Sequence, residues 1–236
     1  MTKFKVAVRY VLKKLLKQSA LFVVCTAIGL AALQLLFSVL GYGFVSFSGV
    51  DSFIIIFLIF WTVITFGKDA GFFLQSGLTR WEMFLIFALA VVAEAFLFAL
   101  LSVVLALVMQ GLWPGHSLLY TTGSFVLTVF IQVFLLNFAV ASCALAATVL
   151  QRRIGTGWTA VVVIGLFFFV TIGLPALFSL FIGGIEAYGT FMASLMGSPY
   201  APALPAVLYL VVSLAALALT WLLLRRANAD RFAAGR

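Results

Sequence analysis

The chain has 236 residues, of which 66% are hydrophobic and only 8% charged, and its mean hydropathy is +1.30. Soluble domains carry roughly 25% charged residues, so a soluble globule is excluded, and the apolar runs take up almost the whole length as one membrane domain. The formal charge of +8 raises the question of nucleic acid, but the Lys and Arg residues gather at the ends of apolar runs, a distribution that suits anionic lipid headgroups better than a phosphate-binding groove.

Residues 1–18 form the first expected element. Phe4, Ala7, Val8, Val11, Leu12, Leu15 and Leu16 recur at helical spacing, while Lys3, Lys5, Arg9, Lys13, Lys14 and Lys17 take most of the other face. The pattern predicts an amphipathic interfacial helix, its apolar stripe among the acyl chains and its cations at the headgroups. A topogenic anchor is the simple reading; contact with a cytoplasmic partner is the sharper one. The long, patterned basic region, followed by an apolar run longer than a usual h-region, argues for retention rather than cleavage as a signal peptide.

At roughly 20 apolar residues per crossing, the runs near 20–40, 52–66, 83–110, 119–150, 157–183 and 204–224 predict an all-α integral membrane protein with six transmembrane helices between residues 19 and 226 and a tail over 227–236. With both ends inside, the loops at 67–82 and 151–156 and the tail are cytoplasmic, and every Lys and Arg falls on that side. Cys25 and Cys143 lie within apolar runs, where a thiol acts as a small hydrophobe, and no Cys/His spacing suggests a metal.

The stretch from Gly67 to Glu82 is the most informative. It reads as helix, stop, helix: Asp69 suits the start of a short helix, Gly77 its left-handed C-terminal cap, and Thr79-Arg80-Trp81-Glu82 a capping box that opens the third span. Phe72 and Phe73 would then be two large aromatics on a short, rigidly held cytoplasmic segment, and a plain connection would need only a few polar residues.

With its basic amphipathic N-terminus, its run of spans, the loop "Phe-Phe-Leu-Gln-Ser-Gly-Leu-Thr-Arg-Trp" at 72–81 and an apolar segment before the last span, the chain resembles permease subunits of type-2 ATP-binding cassette (ABC) exporters. The resemblance implies that the 67–79 segment is a coupling helix docking, with the N-terminal helix, on a separate ATPase subunit. Asp69, Phe72, Phe73, Leu74, Gly77, Thr79 and Arg80 would be the coupling residues. It also implies two ATPase copies, a second permease copy or a similar permease, a bacterial cytoplasmic membrane location, and an amphipathic or hydrophobic cargo such as a drug, lipid or antimicrobial peptide.

No Gly-x-x-x-x-Gly-Lys-Ser/Thr loop is present to cradle phosphates. The chain is therefore expected not to be an enzyme by itself, holding no cofactor, with ATP and Mg on the partner ATPase. His116, in Trp113-Pro114-Gly115-His116, lies in an external loop and reads as a solvated turn residue.

Glu94 is the exceptional ionisable residue within the spans. It is placed near mid-membrane, where a carboxylate is expensive and a protonated or hydrogen-bonded acid is expected. Gln34, Gln132 and Asn137 fall at comparable depth as candidate partners, either as interhelical hydrogen bonds or along a substrate path. Residues 184–203, largely apolar with Glu186 as the only charge, read as an external re-entrant segment or as a loop packed on the outer span ends. Ala139, Cys143 and Ala147 recur four apart and Gly165 and Gly173 eight apart, as close-packing surfaces within the protomer. The competing function is an ATPase-independent secondary transporter or membrane substrate-binding module, which would need more intramembrane ionisable residues than Glu94 alone.

Overall fold

The computed structural model describes residues 3–39, 50–112, 126–168 and 203–225, with isolated positions at 176, 179, 184, 190 and 194. The described residues form an all-helical bundle of α1 (Lys3–Val39), α2 (Val50–Gln75), α3 (Arg80–Leu112), α4 (Val126–Ile154), α5 (Thr156–Phe168) and α6 (Ala203–Arg225). The predicted re-entrant segment, the external loop carrying His116 and the 227–236 tail lie outside the described residues.

The expected count of six membrane spans is not what the helices give. Among the described residues four helical segments are long and apolar enough to cross a membrane: Ile54–Gln75, Arg80–Val104, Val126–Ile154 and Ala203–Arg225. Two runs account for the difference. The first continues without interruption from the basic N-terminal segment, so the expected separate interfacial helix and first span are one 37-residue helix, α1. The fifth is described as a helix only over Thr156–Phe168, α5, and the residues that follow it directly lie outside the described ones.

The core lies between α2, α3 and α4. Leu58, Trp61, Phe66, Ala70 and Phe73 recur along one face of α2, and Met83, Ile86, Phe87, Ala90 and Val91 along α3; all are buried. Phe138, Ala141, Leu145 and Val149 close the cluster from α4, and Ala7, Val11 and Leu15 enter it from α1. That last trio corrects the sequence reading of α1, because part of its apolar stripe is covered by the protein's own helices and not by acyl chains.

Helix α4 packs most extensively on α6, then on α3. Small residues are buried on both helices, Ser142, Ala144, Ala146 and Thr148 on α4 and Ser213, Ala216 and Thr220 on α6. Thr148, Ser213 and Thr220 donate their hydroxyls to the carbonyls of Ala144, Tyr209 and Ala216, four residues back in their own helices. Their polarity is thus satisfied locally and the backbones can approach. Of the stripe named from sequence, Ala139 is buried but Cys143 is exposed. A Cβ on Gly165 would meet nothing within 4 Å, so that glycine marks no close approach among the described residues, and Gly173 lies outside them.

Candidate functional site

One end of the bundle gathers the start of α1, the end of α2, the start of α3 and the ends of α4 and α6. Lys3 Nζ donates to the Ser76 carbonyl at 3.2 Å, Arg152 Nη2 to the Gly67 carbonyl at 2.6 Å, and Arg80 Nη1 to the Arg225 carbonyl at 2.8 Å. The Ser76 and Arg225 carbonyls lie at helix C-termini, where the backbone dipole favours positive charge, whereas Gly67 lies inside α2. Lys3 and Arg225 therefore lie at the same end, as do Lys68, Arg152 and Arg153.

The α2–α3 turn is fixed from both sides. Gly77 has φ 81°, the left-handed conformation that a residue without Cβ adopts most cheaply. Its N–H donates to the Leu74 carbonyl at 3.1 Å and that of Leu78 to the Phe73 carbonyl at 3.2 Å, a Schellman pair that satisfies the last carbonyls of α2. Two residues after Gly77, the Thr79 N–H donates to Glu82 Oε2 at 2.8 Å and the Glu82 N–H to Thr79 Oγ1 at 3.2 Å. This is the reciprocal capping box that starts α3.

The predicted break near Gly67 is absent. Helix α2 runs unbroken from Val50 to Gln75, so the segment read as a separate coupling helix is its last two turns. Asp69 begins no helix; it is buried and accepts a 2.7 Å ion pair from Lys14 of α1. The two phenylalanines separate sharply. Phe73 is 1% exposed, within the core beside Phe87, whereas Phe72 is 60% exposed. Tyr10 of α1 approaches both rings, at 6.4 Å between centroids in each case. Leu74 is half-buried against the core, Thr79 is exposed and Arg80 is partly covered. Of the expected coupling residues, then, Phe72, Gly77 and Thr79 present surface, while Asp69 and Phe73 hold the segment in place.

Tyr10, Lys14 and Arg152 belong to this site and were not singled out from sequence beyond their charge or pattern. So does Trp81, packed edge-on to Trp221 of α6 at 4.7 Å and stacked on Phe84. Residues far apart in the chain carry these contacts, and local periodicity cannot reveal them.

Deeper in the bundle Glu94 is fully buried, and Thr62 Oγ1 of α2 donates to its Oε2 at 3.2 Å. Glu94 Oε1 has no hydrogen-bond partner among the described residues, nor do Thr65 Oγ1, Asn137 Nδ2 and Ser142 Oγ. Among the described residues Thr62 is thus a partner of Glu94, and it was not singled out from sequence. Asn137 is buried on α4, Gln132 is partly exposed, and the side chain of Gln34 on α1 lies outside the described residues.

No family model, characterised protein or solved structure matches this chain. Its helices and apolar surface define the class by themselves: it is a multi-pass, largely helical membrane protein.

Proposed function

We propose that this chain is the membrane-spanning subunit of an ABC exporter in a bacterial cytoplasmic membrane. It would move an amphipathic or hydrophobic cargo with ATP hydrolysed by a separate ATPase subunit. The observation that carries the reading is the α2–α3 turn, capped on both sides, tied by side chains to α1, α4 and α6, and presenting Phe72 outward. A turn so constrained cannot absorb a push by local rearrangement. Because it is continuous with α2 and capped directly onto α3, displacement would tilt both helices together, which is what mechanical coupling requires.

The concentration of basic residues at this end supports a cytoplasmic orientation for it by the positive-inside rule, the side on which an ATPase would be. Two copies of the chain, or this chain with a similar one, would enclose the path and two ATPases would dock below. The test is purification of the tagged chain from its native membrane in mild detergent. An ATPase that photolabels with azido-ATP and stimulates cargo efflux when co-reconstituted is the expected companion; efflux that proceeds without any ATPase contradicts the proposal.

A second reading, a small secondary transporter or substrate-binding membrane module, draws on Glu94 and its single bond from Thr62. A carboxyl between α2 and α3 could couple ion or proton passage to their separation. Efflux driven by an imposed ion gradient in vesicles of the purified chain alone would favour it over the ABC reading.

A further inference from the structure

The N-terminal half of α1 shows three different stripes. Ala7, Val11 and Leu15 are buried on the bundle. One position on around the helix, Phe4, Val8, Leu12 and Leu16 line one wall of a groove of about 450 Å³ whose other wall includes Leu89 of α3. Lys5, Arg9 and Lys13, again spaced by four, form its rim.

Charge around this rim is one-sided. Lys14, on the bundle side of the same helix, is paired with Asp69, and Lys3 is held by the Ser76 carbonyl. By contrast, no carboxylate among the described residues reaches Lys5, Arg9 or Lys13, all of which are exposed. Glu82 is engaged in the α3 cap and Glu94 lies inside the bundle. The groove is therefore apolar along its length and purely cationic along one edge. Its volume falls in the roughly 300–1,000 Å³ range of small-molecule sites.

We infer that this groove binds one anionic glycerophospholipid per chain, an acyl chain lying between Phe4, Val8, Leu12, Leu16 and Leu89 and the phosphate on Lys5, Arg9 and Lys13. Charge complementarity selects the occupant. A zwitterionic lipid would fill the apolar wall equally well but leave three cations without a net counter-charge, and a free phosphate would satisfy the cations but not the apolar wall. The site is independent of whether the protein is driven by ATP. It differs from general headgroup attraction in having a wall supplied by another helix, so it should hold a counted lipid and not an averaged shell. Bound there, the lipid would bridge α1 and α3 beside the Lys14–Asp69 pair.

The test is native mass spectrometry of the full chain in non-ionic detergent, titrated with dipalmitoyl phosphatidylglycerol or with phosphatidylcholine of the same chains. One phosphatidylglycerol adduct per chain, retained in preference to phosphatidylcholine and not displaced by excess glycerol phosphate, is expected. Replacing all three rim cations, Lys5→Gln with Arg9→Gln and Lys13→Gln, should weaken it roughly a hundredfold, at about fivefold per cation near an anionic lipid. The charge-preserving triple Lys5→Arg, Arg9→Lys, Lys13→Arg should retain the adduct. Val8→Trp, which fills the groove without touching the cations, should abolish it. Equal retention of both lipids, an unchanged adduct in the Gln triple or in Val8→Trp, or displacement by glycerol phosphate would each overturn the assignment.

Discussion

The α2–α3 turn and the middle of the bundle both place polar groups among apolar helices, but they are built in opposite ways. At the turn, Gly77, Thr79 and Glu82 satisfy the backbone locally, and Lys3, Lys14, Arg80 and Arg152 add long-range bonds from or to other helices. Around Glu94 there is one side-chain bond, from Thr62, and several buried polar atoms lack partners among the described residues. The turn is over-determined and suited to passing on a displacement as a rigid piece. The middle is under-determined in polar contacts: there α2 and α3 are held by apolar packing, Phe57 on Phe98 and Phe66 on Phe87, and by the hydrogen bond from Thr62 to Glu94. A protein that moves in one place and transmits force in another needs that contrast.

Truncations should expose it, and the largest loss is expected at the turn's anchor. Phe73→Ala removes a ring that is 1% exposed in the core, which should cost ~3–5 kcal/mol and appear as a marked drop in thermal unfolding temperature in detergent. Next comes Lys14→Ala. Asp69, its partner at 2.7 Å, is buried, so the unpaired carboxylate should cost about 3 kcal/mol, and the Lys14→Ala/Asp69→Asn double variant should recover part of that loss. If the double variant is no more stable than the single, the pair does not hold α1 to α2.

At mid-bundle the effects should be smaller. Glu94→Leu strands the Thr62 hydroxyl and should cost ~1–3 kcal/mol, whereas Glu94→Gln keeps an acceptor for it and should change stability little. Transport should survive Glu94→Gln under the ABC reading; its loss, with normal assembly, would shift the account toward ion handling at this carboxyl.

The residues explain what the sequence could and could not disclose. The Schellman turn and capping box were readable because Gly77 and the Thr79/Glu82 spacing act within a few residues of themselves. The helix break at Gly67-Lys68-Asp69 was inferred from the same kind of local signal and is wrong, because tertiary partners offset the weak helix formers: Arg152 binds the Gly67 carbonyl and Lys14 neutralises Asp69. Hydropathy likewise located the apolar runs but could not tell that the first is the continuation of a charged helix. Nor could spacing alone decide between Phe72 and Phe73, which stand about 100° apart around α2. The buried series Phe66, Ala70, Phe73 settles it once the face is known. The partner of Glu94 was missed because a threonine in an apolar helix looks unremarkable until another helix brings a carboxyl to it.

Phe72 offers the most direct measurement. It is 60% exposed at the turn, and Phe60, on the apolar part of the same helix, is 62% exposed, so the pair matches chemistry, helix and exposure and differs in position. An aromatic anchor in a partner's pocket typically contributes ~2 kcal/mol or more. On the proposed ABC reading, Phe72→Ala should therefore lower the affinity of an ATPase subunit for the reconstituted chain by about thirtyfold and reduce cargo efflux in proportion, while Phe60→Ala leaves both unchanged and both variants insert normally. Full ATPase association and full efflux in Phe72→Ala would contradict the assignment of this turn as the docking point.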